Sequence, residues 1–141
     1  MTTNDAVFQK LTPEECRAKL GSVELGRIVV RRSEDMDIFP VNYVLDDEGR
    51  IYLRTAEGNK LFTVNLNPDV LFEADEVKDG FAWSVVVKGK AEILTSAADI
   101  HFADSLPLKP WAPTLKYNYV RISATEISGR SFPIAEEPER Y

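Results

Sequence analysis

The chain has 141 residues, 44% of them hydrophobic and 28% charged, the size and composition of one globular domain and not of a disordered segment. A formal net charge of −6 repels a phosphate backbone and excludes general nucleic-acid binding, while a small phosphorylated ligand can still be held by a few local cations. A single cysteine excludes an internal disulfide, and no apolar run approaches the ~20 residues of a membrane span.

In chain order, the first residues, Met1 to Asp5, lack a basic stretch followed by an apolar one, so no leader and a cytoplasmic setting are expected. Thr12-Pro13-Glu14-Glu15 predicts a helix start, with Thr12 as cap, Pro13 at the first helical position and Glu15 closing a capping box; the helix ends near Gly21. Cys16 and Leu20 share one face of it, which makes Cys16 packing material. Strands are predicted from Val23 to Arg32, from Ile38 to Leu45 with an edge or bulge at Pro40, and from Arg50 to Thr55 after the Asp46–Gly49 turn. A short helix over 58–66 stops at Asn67-Pro68. Further strands follow from Val70 to Asp75 and from Phe81 to Leu94, the second with a bend at Gly89. Ser96 caps a third short helix, to about Leu106. Pro107, Pro110 and Pro113 mark an irregular crossing before the last strand, Tyr117 to Ile127, and the acidic tail Glu136-Glu137-Pro138-Glu139 reads as a solvated end. Six strands without regular β-α-β alternation predict one antiparallel sheet closed into a barrel.

Several chemistries are missing. The lone histidine, His101, falls on a predicted surface helix and cannot build a His-rich metal site or a convincing triad. No cysteine pair exists for zinc or redox work. The stretch from Thr55 to Leu61 lacks the first glycine and the final Ser or Thr of a nucleotide loop. Redox chemistry in this chain must therefore come from a bound cofactor. Arg54, Lys60, Lys88, Lys90 and Arg130 are the cations that could hold a phosphorylated one.

Pro40-Val41-Asn42-Tyr43, Arg54-Thr55 at a strand end and Gly58-Asn59-Lys60-Leu61 opening a helix, followed by Trp83-Ser84 with Val85 to Gly89, Val120-Arg121-Ile122 and Ile127 to Arg130, run in order from about Leu11 to Arg130. In this the chain resembles the pyridoxamine 5′-phosphate oxidase-like family. The resemblance implies a mainly β, six-stranded antiparallel split barrel with short flanking helices, in one domain. It implies a homodimer with flavin mononucleotide (FMN) at the subunit interface, a deazaflavin, flavin adenine dinucleotide (FAD) or haem being the alternatives in the wider superfamily. Arg54, Thr55 and Lys60, beside a helix N-terminus, would gather round the phosphate, and Pro40, Val41, Asn42 and Tyr43 would run along the flavin ring. Trp83, Ser84 and Arg130 would approach the cofactor from neighbouring strands, and Trp111 could cover the pocket. The implied activity is a flavin-dependent oxidoreductase on a small molecule. A non-catalytic carrier or sensor and a cofactor-free interaction module remain open. The true oxidases read their substrate partly through a C-terminal Arg-x-His segment; the corresponding region here has no histidine, so oxidation of pyridoxamine 5′-phosphate is not expected.

Overall fold

The computed structural model describes residues 7–56, 67–109 and 117–136. The predicted helix over 58–66 and most of the proline-rich crossing, with Lys60 and Trp111, lie outside them. Helix α1 (Pro13–Gly21) begins with the expected capping box: the Thr12 hydroxyl accepts from the Glu15 amide, and the Glu15 carboxylate accepts from the Thr12 amide. Cys16 and Leu20 are its buried residues. Helix α2 (Ala97–Asp104) is capped by Ser96, and His101 on it is exposed.

The strands are β1 (Gln9–Lys10), β2 (Leu25–Arg32), β3 (Asp35–Asn42), β4 (Val44–Leu45), β5 (Ile51–Ala56), β6 (Asp69–Lys78), β7 (Phe81–Ile93) and β8 (Tyr117–Pro133). They form one antiparallel sheet in the order β3-β2-β6-β7-β8-β5-β4, with β1 on β8. The described residues hold eight strands and not six, because β1 and β4 are two-residue pieces too short to show a period. The last strand runs on to Pro133, since β7 offers it partners as far as Phe81. Pro40 does sit on an edge strand: among the described residues β3 pairs only with β2. Gly89 does mark a bend, a bulge at which the β7–β8 register shifts.

Pairing among the described residues does not close the sheet, as in the split barrel the resemblance implies and unlike the closed one the strand pattern alone suggests. Its two ends, β3 and β4, are instead joined through a single residue, Tyr43. A sheet whose opposite edges are one residue apart has to curl round on itself, which makes a split barrel. Inside lie Ile28, Val30, Phe72, Val85, Val87, Leu53 and Ile122, and α1 plugs one side with Cys16 and Leu20. A second cluster of Tyr52, Leu94, Ala103 and Tyr119 seats α2 outside the barrel, and the Tyr119 hydroxyl donates to Asp104 at 2.6 Å.

Gly26 leaves no room for a side chain. A Cβ there would stand 2.4 Å from the Phe72 ring and 2.8 Å from the Glu73 carbonyl oxygen, and Phe72 is fully buried. Gly26→Ala is expected to cost ~1–3 kcal/mol, read as a lower urea midpoint with unchanged slope.

Candidate functional site

Successive residues of a strand face opposite sides of a sheet, and this sorts the expected site residues. On β5, Ile51, Leu53 and Thr55 turn into the barrel. Thr55 is buried, its hydroxyl 3.4 Å from the Ala56 carbonyl. Arg54 goes to the other face, where its guanidinium carbon lies 3.3 Å from the centre of the Tyr117 ring. The two side chains are therefore not brought to one point, as the phosphate cluster would need. Arg54 Nε is buried and has no hydrogen-bond partner among the described residues, an arrangement that leaves a charged donor unsatisfied.

The segment Pro40–Tyr43 is divided the same way. Pro40 is exposed on the outer face of β3, opposite Arg27, and Val41 packs partly against the core. The side-chain amide of Asn42 donates to the Lys109 carbonyl. Asn42 and Arg54 thus stand at opposite ends of the segment 110–116, since Lys109 precedes it and Tyr117 follows it. Tyr43 does not lie along an open face. Its side chain is in the core, edge-on to Phe72 at 4.8 Å, and its hydroxyl donates to the Leu20 carbonyl at 2.6 Å, satisfying the last turn of α1. Burial raises the Tyr43 pKa well above the usual phenol value.

Trp83 also turns inward, in step with Val85 and Val87; its ring N–H donates to Glu76 at 3.3 Å. Ser84 points outward and is the cross-strand partner of Arg130. Both line a hollow of about 820 Å³ with Phe8, Lys10, Val86 and Phe132. At the middle of the outer face Arg27 forks between Glu73 (2.7 Å from Nε) and Asp75 (2.8 Å). Burial, and next the adjacent Asp75, raise the Glu73 pKa against the pull of Arg27.

Of the candidate cations, Lys88 pairs with Glu126 at 3.3 Å and Lys90 with Asp69. Both are spent on the sheet's own carboxylates. Arg54 and Arg130 have no acidic partner among the described residues.

A capped helix, a curled antiparallel sheet and an outward arginine at the end of β5 make a recognisable frame. A sequence profile of the family described as pyridoxamine 5′-phosphate oxidase matches residues 12–131. The chain belongs to the pyridoxamine 5′-phosphate oxidase family. Among solved structures, a Corynebacterium glutamicum protein bearing the family's name is 60% identical, with 97% of this chain and 99% of that one covered and a TM-score of 0.87. The FAD binding protein from Mycobacterium smegmatis is 39% identical, with 90% and 100% covered and a TM-score of 0.79. An uncharacterised Mycobacterium tuberculosis protein is 45% identical over 94 residues, 66% of this chain and 86% of its own. No described helix is long and apolar enough to cross a membrane, and no group of potential metal ligands occurs among the described residues.

Sequence reasoning missed Lys10. It lies on the two-residue strand β1, directly opposite Arg130 across the β1–β8 pair. The segment's one signal was a lysine beside an apolar pair, Val7-Phe8, which is too short to read as a strand.

Proposed function

We propose that this family member binds a flavin nucleotide, FMN or the FAD named for its mycobacterial relative, and works as an oxidoreductase on a small molecule from a homodimer. The observation that carries the reading is Arg54: its Nε is a buried charged donor without a partner among the described residues, on a guanidinium stacked on Tyr117 at the end of β5. A phosphate oxygen would satisfy it with a charge-assisted bond, and the residues present fit such a group. Lys60, beyond the described residues, would add a second cation, and Thr55 would contribute through its backbone. The edge of β3 at Pro40, Val41 and Asn42, unpaired among the described residues, leaves backbone donors and acceptors for the ring. A bound flavin supplies hydride and electron transfer; the chain supplies binding and orientation.

Two features support a homodimer with a shared site. Arg130 lies eleven residues further along β8 than Tyr119, the partner of Arg54, or ~36 Å along the strand, so Arg54 and Ser84–Arg130 of one chain cannot grip the same FMN. Arg54 of one protomer and Ser84 of its partner can. The outer face of β3 also leaves Met36 58% and Ile38 62% exposed, an apolar strip that a two-fold contact would cover. The purified protein, as isolated or after reconstitution with FMN or FAD, is expected to be yellow and to sediment at about twice the 15.9 kDa chain mass. Colourless protein that takes up neither nucleotide overturns the flavin reading. A single-chain sedimentation coefficient at micromolar concentration overturns the shared site.

Oxidation of pyridoxamine 5′-phosphate is not expected despite the family name. The one arginine of Arg121-Ile122-Ser123 is committed to Glu92 at 2.7 Å and Asp99 at 3.3 Å, and no histidine follows on β8. Flavin-loaded protein given that substrate in air should form pyridoxal 5′-phosphate far below ~1 per second, the low end of ordinary turnover.

A further inference from the structure

The hollow lined by Phe8, Lys10, Ser84, Val86, Arg130 and Phe132 has a feature that sheet stability does not explain. Lys10 and Arg130 are direct cross-strand partners, and like charges set opposite each other weaken a sheet. No carboxylate pairs with either among the described residues. The other outward charges on β7 and β8 are already paired, Lys88 with Glu126, Lys90 with Asp69 and Arg121 with Glu92. Beside the two cations lie the Ser84 hydroxyl and an aromatic wall, with Phe8 and Phe132 edge-to-face at 5.1 Å and the Arg130 guanidinium 5.6 Å from the Phe8 ring. The volume, about 820 Å³, is that of a small-molecule site.

We propose that this hollow binds a small organic anion, its carboxylate or phosphate group held between Lys10 and Arg130 and its apolar body laid against Phe8 and Phe132. The anion neutralises a repulsion built into the β1–β8 pair, so binding is strengthened by a strain that exists only in the empty protein. The anion site stands without the flavin reading; only the ligand's role as the substrate presented to the cofactor rests on it.

The probe is 8-anilinonaphthalene-1-sulfonate, an aromatic anion, set against its uncharged counterpart N-phenyl-1-naphthylamine, on wild type and on Lys10→Gln/Arg130→Gln. The sulfonate should bind the variant ten-fold or more weakly, and more weakly in wild type as salt rises, while the neutral probe binds both proteins alike. Removal of the repulsion should raise the variant's melting temperature by ~1–2 °C, so a folding defect would declare itself. Unchanged sulfonate affinity, or an equal loss for both probes, overturns the anion site. Titration of FMN and FAD into the same variant separates the two sources of the anion. Ser84 and Arg130 border the shared flavin site, so a flavin loss much smaller than that of the sulfonate supports a substrate. A loss matching that of the sulfonate makes the anion the flavin's own phosphate and overturns the substrate role. A wild type that binds neither flavin fails the proposed function, and the probe pair still decides the anion site.

Discussion

Replacing Arg54 by alanine is expected to weaken FMN and FAD binding ten- to a hundred-fold and to leave riboflavin binding unchanged. The magnitude follows from one charge-assisted hydrogen bond to phosphate, ~1.5–3 kcal/mol. The selectivity follows from position, since Arg54 lies at the strand end and away from the edge of β3 proposed for the ring. The apo protein offers a control. Because Arg54 Nε has no partner among the described residues, its removal deletes no hydrogen bond among them, and the apo melting temperature should hold to within ~2 °C. Arg54→Lys should recover only part of the affinity, because an ammonium keeps the charge but cannot stack flat on Tyr117 or donate from two directions. Equal losses for FMN and riboflavin would place Arg54 in the fold and remove it from the phosphate site.

What the sequence reveals here depends on how many residues share a signal. The cap of α1 is legible because Thr12, Pro13 and Glu15 state it three times, and the structure shows each contact. The edge position of β3 is legible from Pro40 alone, because a proline cannot donate to a second neighbour. The full length of β8 is not legible, because its outer half holds Ser128, Gly129 and Ser131, weak strand formers kept in place by β7. The inward turn of Trp83 was available from pattern: Trp83, Val85 and Val87 alternate with Ser84, Val86 and Lys88, two of them polar, and that alternation outranks the motif that placed Trp83 beside a cofactor. Thr55 could be assigned the same way from Ile51 and Leu53. Tyr43 could not. It is the single residue between β3 and β4, with no strand period of its own, and only the path of α1 past it shows that its hydroxyl caps that helix. The pairing of Lys10 with Arg130 is a contact across the whole chain, invisible without the sheet.

Asp46→Asn is expected to cost ~2–4 kcal/mol of stability at neutral pH and to flatten the acid limb of the stability curve. The Asp46 side chain is almost fully buried at the β4–β5 turn and acts only as an acceptor. It takes the amides of Glu48 and Arg50, both at 2.9 Å, the Arg50 guanidinium at 2.7 Å and the Tyr52 hydroxyl at 3.1 Å. An asparagine keeps one acceptor oxygen and turns its other end into a donor facing Arg50 and Tyr52, so two of these contacts become repulsive or lost. Burial alone would raise the Asp46 pKa, but the backbone and side-chain hydrogen bonds from Arg50 and the one from Tyr52 overcome it and hold the carboxyl below the usual value. A carboxyl with a lowered native pKa gives stability that is complete above its unfolded value, ~3.9, and is lost as pH falls towards the native one. The gap in unfolding free energy between wild type and Asp46→Asn should therefore be constant from pH 7 to about 5 and shrink below ~4, measured by urea melts at each pH. A gap that stays constant down to pH 3 would show that the turn needs the shape of Asp46 and not its charge. The same hairpin carries Arg54 at its far end, so a loosened turn should also weaken flavin nucleotide binding, but riboflavin and FMN together, which separates it from the loss of Arg54 itself.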